Sequence, residues 1–283
     1  MQESVLSVLC DPLTHESLEL RDEPSAHGAP CQFLINPHSG KRFVLRDGIP
    51  VFLDEAAVSG LNRKYQKLYD RIAVGYDLAG TLYAFFRRAD LRAMRWGYLG
   101  ELEIKDANRM LDVSVGTGIN IQFLPPSIEF YGLDLSWGML QKCRRNLRKW
   151  RREASLFYGE AENLPFKDAS FDAVFHFGGI NFFNDKARAI REMIRVAKPG
   201  TKLVISDETE KHVKGVYEKT PVMGEYFKQR SEVVSAPADL VPQEMLEVRL
   251  SEFREGRMYC LTFRKPAHPA AEQAPGRLPE SSA

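Results

Sequence analysis

The sequence predicts an α/β fold: a largely parallel sheet covered by helices on both faces, with a small β-rich module in front of it. Three observations predict it. From Lys105 onward the strand-like runs NRMLDVSV, IEFYGLDL, ASLFY, FDAVFHFG and TKLVISDE alternate with helix-like stretches starting near Gly118, Trp137, Asn184 and Glu208, the pattern of right-handed βαβ crossovers. After Pro242, MLEVRLSEF and RMYCLTFRK are separated by Arg254, Glu255 and Gly256, which predicts an antiparallel hairpin closing the sheet. The chain has 283 residues, and at ~150 residues per domain this leaves room for one large core with a smaller unit attached.

Residues 1–54 form short apolar runs, LEL at 18–20, QFLI at 32–35, RFVL at 42–45 and PVFL at 50–53. Pro12, Gly28, Pro30, Pro37, Gly40, Gly48 and Pro50 fall between or beside them, as expected of a β-rich module. From 61 to 99 the period changes: Leu61, Tyr65, Leu68, Tyr69, Ile72 and Tyr76 recur near 3.6 residues, so 55–104 is predicted as a helical linker and cap. The sheet domain then occupies 105–265. The tail, 266–283, is rich in Pro, Ala, Glu and Ser and is predicted to stay disordered for want of apolar surface.

Composition excludes several classes. Hydrophobic residues make up 44% and charged residues 27%, and no run approaches the ~20 apolar residues of a membrane span. The opening residues lack the basic start and apolar run of a secretory signal, so a cytoplasmic protein is expected. With 39 Lys plus Arg against 38 Asp plus Glu, no whole-molecule field attracts nucleic acid. The conspicuous basic run is Lys142, Arg144, Arg145, Arg148, Lys149, Arg151 and Arg152; it reads as a solvated helix face, with RNA or anionic lipid contact as the alternative. Cys10, Cys31, Cys143 and Cys260 are far apart and read as free thiols.

The most informative stretch is Met110-Leu111-Asp112-Val113-Ser114-Val115-Gly116-Thr117-Gly118. Two glycines let the backbone turn sharply at a strand's carboxyl end and lie close to a ligand. Asp134 ends the next strand, 22 residues after Asp112, the separation of an acid that accepts hydrogen bonds from ribose hydroxyls; capping the helix that follows is its alternative role. A dinucleotide site wants a third glycine, and position 121 is Ile. Asp112 would repel a pyrophosphate but attract an α-ammonium group, and S-adenosylmethionine carries an ammonium, a ribose and no phosphate.

Residues 106–207 resemble class I S-adenosylmethionine-dependent methyltransferases, most of all the ubiquinone/menaquinone biosynthesis type. LDVSVGTG resembles the first motif, GLDLSWGML the ribose-binding stretch, GEAENLPFKDASFDAVF the adenine side and fourth strand, and AIREMIRVAKPGTKLVI the helix, Lys-Pro-Gly turn and fifth strand. The resemblance implies a Rossmann-like seven-stranded sheet, parallel except for a C-terminal antiparallel hairpin. It also implies that Asp112, Gly116, Thr117 and Gly118 hold the methionine end, Asp134 the ribose, Leu135, Glu160 and Ala161 the adenine, and that the Phe177 backbone passes the methionine moiety. Ser114 departs from the pattern, standing where the family has its first glycine. LYDRIAVGYDLAGTL, 68–82, is similar to the family's covering helix, which makes Tyr76 and then Tyr69 the aromatic residues expected at the cofactor.

The N-terminal stretches LCDPL and NPHSGKRF to RDGIP resemble a Trm112-type zinc ribbon. The aligned positions are Cys10, Leu13, Asn36 and Ser39, so three of four thiolate ligands are missing and no metal is expected. Packing through Phe33, Phe43, Ile49 and Phe52 is expected to keep the fold, and docking to the core or to a protein partner is the expected role.

Methyl transfer from a sulfonium needs alignment and dryness more than a base, and no triad is present. His176 is the candidate base if it faces the cavity, and a core histidine otherwise. Phe177-Gly178-Gly179-Ile180-Asn181-Phe182-Phe183 replaces the Asn/Asp-Pro-Pro-aromatic motif of nucleic-acid base methylases. The expected acceptor is therefore small and phenolic, quinonoid or lipid-like, methylated on oxygen or carbon. Three readings stay open beside it: a catalytically silent binding protein, an RNA or protein methyltransferase, and a Rossmann oxidoreductase.

Overall fold

A computed structural model describes residues 1–24, 30–77, 91–105, 108–228, 230 and 233–267. The predicted tail from 268 onward, residues 78–82 of the 68–82 stretch and the Cys31 side chain lie outside the described residues.

The N-terminal module comprises α1 (Glu3–Val8) and an antiparallel sheet β1 (Glu19–Pro24), β2 (Pro30–Ile35), β3 (Arg42–Arg46) and β4 (Ile49–Pro50). Helix α1 was not expected within a stretch read as β-rich. Two helices follow, α2 (Gly60–Ile72) and α3 (Leu91–Leu99). The main sheet has the order β10-β11-β9-β8-β5-β6-β7, with β5 (Arg109–Val113), β6 (Glu129–Asp134), β7 (Ser155–Tyr158), β8 (Ala173–Phe177) and β9 (Lys202–Glu208) parallel. Strands β10 (Leu246–Phe253) and β11 (Met258–Arg264) form the predicted antiparallel hairpin, and β11 pairs with β9. Helices α4 (Trp137–Trp150) and α5 (Lys186–Val196) make the crossovers, and α6 (Glu210–Gly215) and α7 (Pro221–Phe227) lie between β9 and the hairpin.

The parallel strands are apolar on both faces because both are covered. Leu111, Leu133, Val174 and Ile205 enter one buried cluster, and Met110, Phe130, Phe175 and Val204 another. One helix was misplaced: after Gly118 there is only a 3-10 turn, Ile119–Phe123, and then Pro125 and Pro126. Proline has no N–H to continue the ladder, so the turn cannot lengthen.

The module is built into this core. Val5, Val8, Leu9, Leu34 and Phe43 share a cluster with Phe157 and Phe166, while Phe33 and Ile49 are buried and Phe52 packs on Phe43 with ring centroids 4.9 Å apart. Val51 bridges to Tyr158 in parallel and the Phe52 N–H donates to the Tyr158 carbonyl at 2.8 Å, which covers the free edge of β7.

At the aligned metal position, Asn36 is fully buried. Its Nδ2 donates to Glu16 Oε2 at 2.7 Å, Asp11 Oδ2 at 3.2 Å and Thr14 Oγ1 at 3.2 Å, and its Oδ1 accepts from the His38 and Ser39 N–H groups. Hydrogen bonds thus tie the loop at 11–16 to the turn at 36–39. Burial pushes the Cys10 thiol up to about 12, and among the described residues no three His, Cys, Asp or Glu side chains are grouped so that they could hold a metal ion. Among the described residues, no helix is long and apolar enough to cross a membrane.

Several members of the basic run on α4 act as struts rather than as a bare solvated face. The Arg144 guanidinium donates to the Asp47 carbonyl at 2.6 Å, Lys142 lies 3.7 Å from Asp77, and Arg152, just beyond the helix, donates to the Leu124 and Pro125 carbonyls.

Candidate active site

A cleft of about 950 Å³, including its open mouth, lies at the carboxyl ends of β5, β6, β8 and β9. Its floor is made by Ser114 to Thr117 after β5, Asp134 to Ser136 at β6, Phe177 to Gly179 at β8, and Glu208 ending β9. Its roof is α2, which presents Asn62, Tyr65, Gln66 and Tyr69, joined by Tyr76 and by Arg95 from α3. Positions 62, 65, 66 and 69 fall on one helical face, a spacing that could have identified Asn62 and Gln66 from sequence.

The roof is fastened at both ends. Asn184 Oδ1 accepts from the Leu61 N–H at 2.8 Å, satisfying a free donor at the start of α2. Near the other end, Asp70 Oδ1 accepts from Ser136 Oγ at 2.6 Å and from the Gly138 N–H at 2.8 Å at the start of α4. Between them, Gln66 Nε2 donates to the Leu135 carbonyl and to the Tyr158 hydroxyl.

Asp134 ends β6 and lines the cleft. Its Oδ2 accepts from the Gly116 N–H at 2.7 Å and its Oδ1 from the Ser136 N–H at 2.8 Å. Each carboxylate oxygen can accept a second bond, so a diol in the cleft has two acceptors in fixed positions. Burial raises the carboxyl to about 6, with these backbone donors opposing the rise.

Asp112 lies beneath the floor, fully buried. Oδ2 accepts from Asn120 Nδ2 at 3.2 Å, Oδ1 has no partner, and burial raises the group to about 7. Asn120 links it to a cation, for Asn120 Oδ1 accepts from Arg95 Nη1 at 2.8 Å and from the Tyr98 hydroxyl at 2.6 Å. Arg95 is 8% exposed, and its Nε has no partner. Neither Arg95 nor Asn120 belongs to the motifs read from sequence, since pairing over 25 residues leaves no local signal.

The glycine turn divides its tasks. Gly116 has φ +55° with open space where a Cβ would stand, as a backbone lying against a ligand requires. Gly118 is outside the wall: at φ +76° a Cβ would come 2.5 Å from Cys143 Sγ, so its service is to let α4 approach. Thr117 Oγ1 donates to Asp77 Oδ1 at 2.6 Å. Ser114 lines the cleft at φ +82°, the strained region for a side chain. Relief of ~1–2 kcal/mol of left-handed strain exceeds the ~0.4–1 kcal/mol that glycine gives back to the unfolded chain. Ser114→Gly is therefore expected to raise the unfolding midpoint of the free protein, a result read by a thermal melt.

Leu135, Phe177, Tyr69 and Tyr76 all line the cleft. Phe177 stacks on Tyr98 with centroids 4.1 Å apart, and Tyr69 meets Tyr76 edge-on at 6.3 Å. Glu160 and Ala161 do not reach the wall; Ala161 is buried, and Glu160, raised by burial, accepts from Asn62 Nδ2 at 3.3 Å. His176 is also kept out of the cleft. It is fully buried, its Nδ1 is 2.5 Å from the Val113 carbonyl oxygen, its ring packs edge-on to Phe183, and burial lowers its pKa so that it stays neutral.

Residues 111–205 match the family model described as a methyltransferase domain. The chain is 32% identical over 141 residues to a demethylmenaquinone methyltransferase of Renibacterium salmoninarum, covering 50% of this chain and 56% of that protein. It is 28% identical over 224 residues to the ubiquinone/menaquinone biosynthesis C-methyltransferase UbiE of Geobacter sulfurreducens, covering 72% and 82%. The chain thus spans little more than half the length of the first of these relatives. Among solved structures, a SAM-dependent methyltransferase of Thermotoga maritima superposes with a TM-score of 0.54 at 22% identity, over 71% of this chain and 99% of that one, a likeness of fold.

Proposed function

The chain carries a class I methyltransferase domain on a Rossmann-like sheet, and from that premise we propose that it transfers a methyl group from S-adenosylmethionine to oxygen or carbon of a small phenolic or quinonoid acceptor. The observation that carries the cofactor is Asp134, held by two backbone N–H groups with acceptor capacity directed to an open cleft. Asp112, orphaned at Oδ1 below the same floor, supplies the negative potential an ammonium group needs, and Arg95 with its unpartnered Nε supplies the positive one a carboxylate needs. A pyrophosphate fits neither Asp112 nor Ile121, which is fully buried where a dinucleotide site has glycine.

When bound, S-adenosylmethionine supplies an electrophilic methyl on a sulfonium. The chain's residues align and exclude water. Roof helix α2 closes over the floor, Phe177 and Phe182 present apolar surface, and the fixed Asp134 and Gly116 set where the nucleoside ends. Alignment of this kind can supply ~7–11 kcal/mol, which is why no triad is needed. The aromatic wall and the quinone names of the relatives together support a flat ring as acceptor.

Isothermal calorimetry with S-adenosylhomocysteine against NAD tests the cofactor, and heat with the first alone is expected. Heat with NAD alone, or with neither, overturns the proposal, the latter in favour of a silent binding protein. The pH dependence adds a stricter check. With Asp112 near 7 and Asp134 near 6 against an ordinary 3.8, these two carboxyls hold more protons in the folded chain than in the unfolded one from pH ~4 to ~7. The stability these two groups contribute to the free protein therefore falls as pH rises through that window, and the part lost in Asp112→Asn isolates the larger share. A bound ammonium favours ionised Asp112, so binding near pH 7 is expected to release up to about half a proton from this group, seen by repeating the titration in buffers of different ionisation enthalpy. Asp112→Asn removes that share. Proton uptake on binding would contradict the assignment.

A further inference from the structure

We propose that Glu208 is the specificity-determining acceptor residue, a carboxylate that receives a hydrogen bond from an aromatic hydroxyl on the methyl acceptor; this rests on the methyltransferase reading. Among the described residues, the charged side chains of the cleft wall are Arg95, Asp134 and Glu208. Asp134 ends β6 and Glu208 ends β9, three positions apart in the sheet order, about 14 Å at ~4.8 Å per strand. A nucleoside bound at Asp134 leaves Glu208 on the far side of β8, where the acceptor must lie. Tyr69, Tyr76, Phe182 and Phe183 line the cleft with it and offer faces and edges to a flat ring.

The carboxylate is prepared for this role. The Tyr217 hydroxyl donates to Glu208 Oε1, and Tyr217 is itself held between Phe227 and His212 at centroid distances of 4.9 and 5.0 Å. One donor leaves capacity on a group with about four acceptor positions. Behind it, the Asp207 carboxyl is fully buried and raised well above its usual range by burial and by Glu208. Burial, and next the Glu208 charge, likewise keep the Tyr217 phenol protonated as a donor. A hydroxyl bonded to a carboxylate pushes electron density onto its oxygen and onto the ring carbon ortho to it, the two atoms that could take the methyl as the C–S bond breaks with its electron pair left on sulfur and the hydroxyl proton passes to the carboxylate.

The test is equilibrium binding of 1,4-dihydroxynaphthalene and 1,4-dimethoxynaphthalene, under anaerobic conditions, to the full chain saturated with S-adenosylhomocysteine. The dihydroxy probe is expected to bind about 10- to 100-fold more tightly, the range for one hydrogen bond to a charged group. Glu208→Gln is expected to lose at least tenfold of that preference, and Tyr217→Phe a smaller part of it. Affinity for S-adenosylhomocysteine, measured separately, should stay within about twofold in both variants and reports whether the cofactor reading and the fold survive. Equal binding of the two naphthalenes, no binding of either, a preference that persists in Glu208→Gln, or tighter binding of 1-naphthylmethylamine overturns the proposal even when the cofactor analogue binds normally. Failure of S-adenosylhomocysteine to bind the unaltered protein overturns the underlying reading instead.

Discussion

Replacing Asp134 by alanine is expected to weaken S-adenosylhomocysteine binding by about 100-fold or more. Two hydrogen bonds to a buried carboxylate are each worth ~1.5–3 kcal/mol when the ligand cannot find them elsewhere. The substitution also frees the Gly116 and Ser136 N–H groups, which Asp134 orients at 2.7 and 2.8 Å, so the turn that shapes the floor loses its tie. Asp134→Asn keeps one accepting oxygen and should fall between the two proteins. Calorimetry beside a thermal melt separates lost affinity from lost fold, and an alanine variant within about threefold of the original affinity would place the ribose elsewhere.

The largest expected effect on stability lies far from the cleft, at Asn36. Asn36→Ala removes the side chain that binds Asp11, Thr14 and Glu16 and satisfies two backbone donors. Of the partners left behind, the Asp11 carboxylate is buried, and leaving it without this donor costs ~1–3 kcal/mol, so a fall of ~2–12 °C in midpoint is expected. Asn36→Asp restores the acceptor but sets a third carboxylate beside Asp11 and Glu16, and should also lower the midpoint. An alanine variant melting within about 2 °C of the unaltered protein would show that apolar packing alone holds the module. Because Val8, Leu34 and Phe43 share a cluster with Phe157 and Phe166, the loss is expected as one cooperative transition of module and sheet.

Much of the sheet was legible because its strands are short, apolar and separated by turn residues. The acid ending β6 was legible because strand and crossover lengths fix its separation from the glycine turn. The exceptions are instructive. The helix after Gly118 failed against Pro125 and Pro126, and α1 is only Glu3–Val8, too short to show a period. Glu160 and Ala161, inferred from resemblance, stand off the wall, Asn62 being the partner that draws Glu160 aside. His176 is the core histidine that the sequence reading set against a base: alternation sends its ring to Phe183 while Phe177 meets the cleft.

By itself the sequence determined the parallel sheet, the closing hairpin, the turn at Gly116 and the carboxylate at Asp134, all of which follow from periodicity and spacing within a few dozen residues. Tertiary structure alone decided that Asp112 lies below the floor bound through Asn120 to Arg95, that Asn184 and Asp70 fasten α2 as a roof, and that Glu208 lines the same cleft as Asp134. Those contacts join residues up to 123 positions apart. Hydrogen bonding and desolvation depend on distance in space, and a chain reveals such distances only once its core has packed.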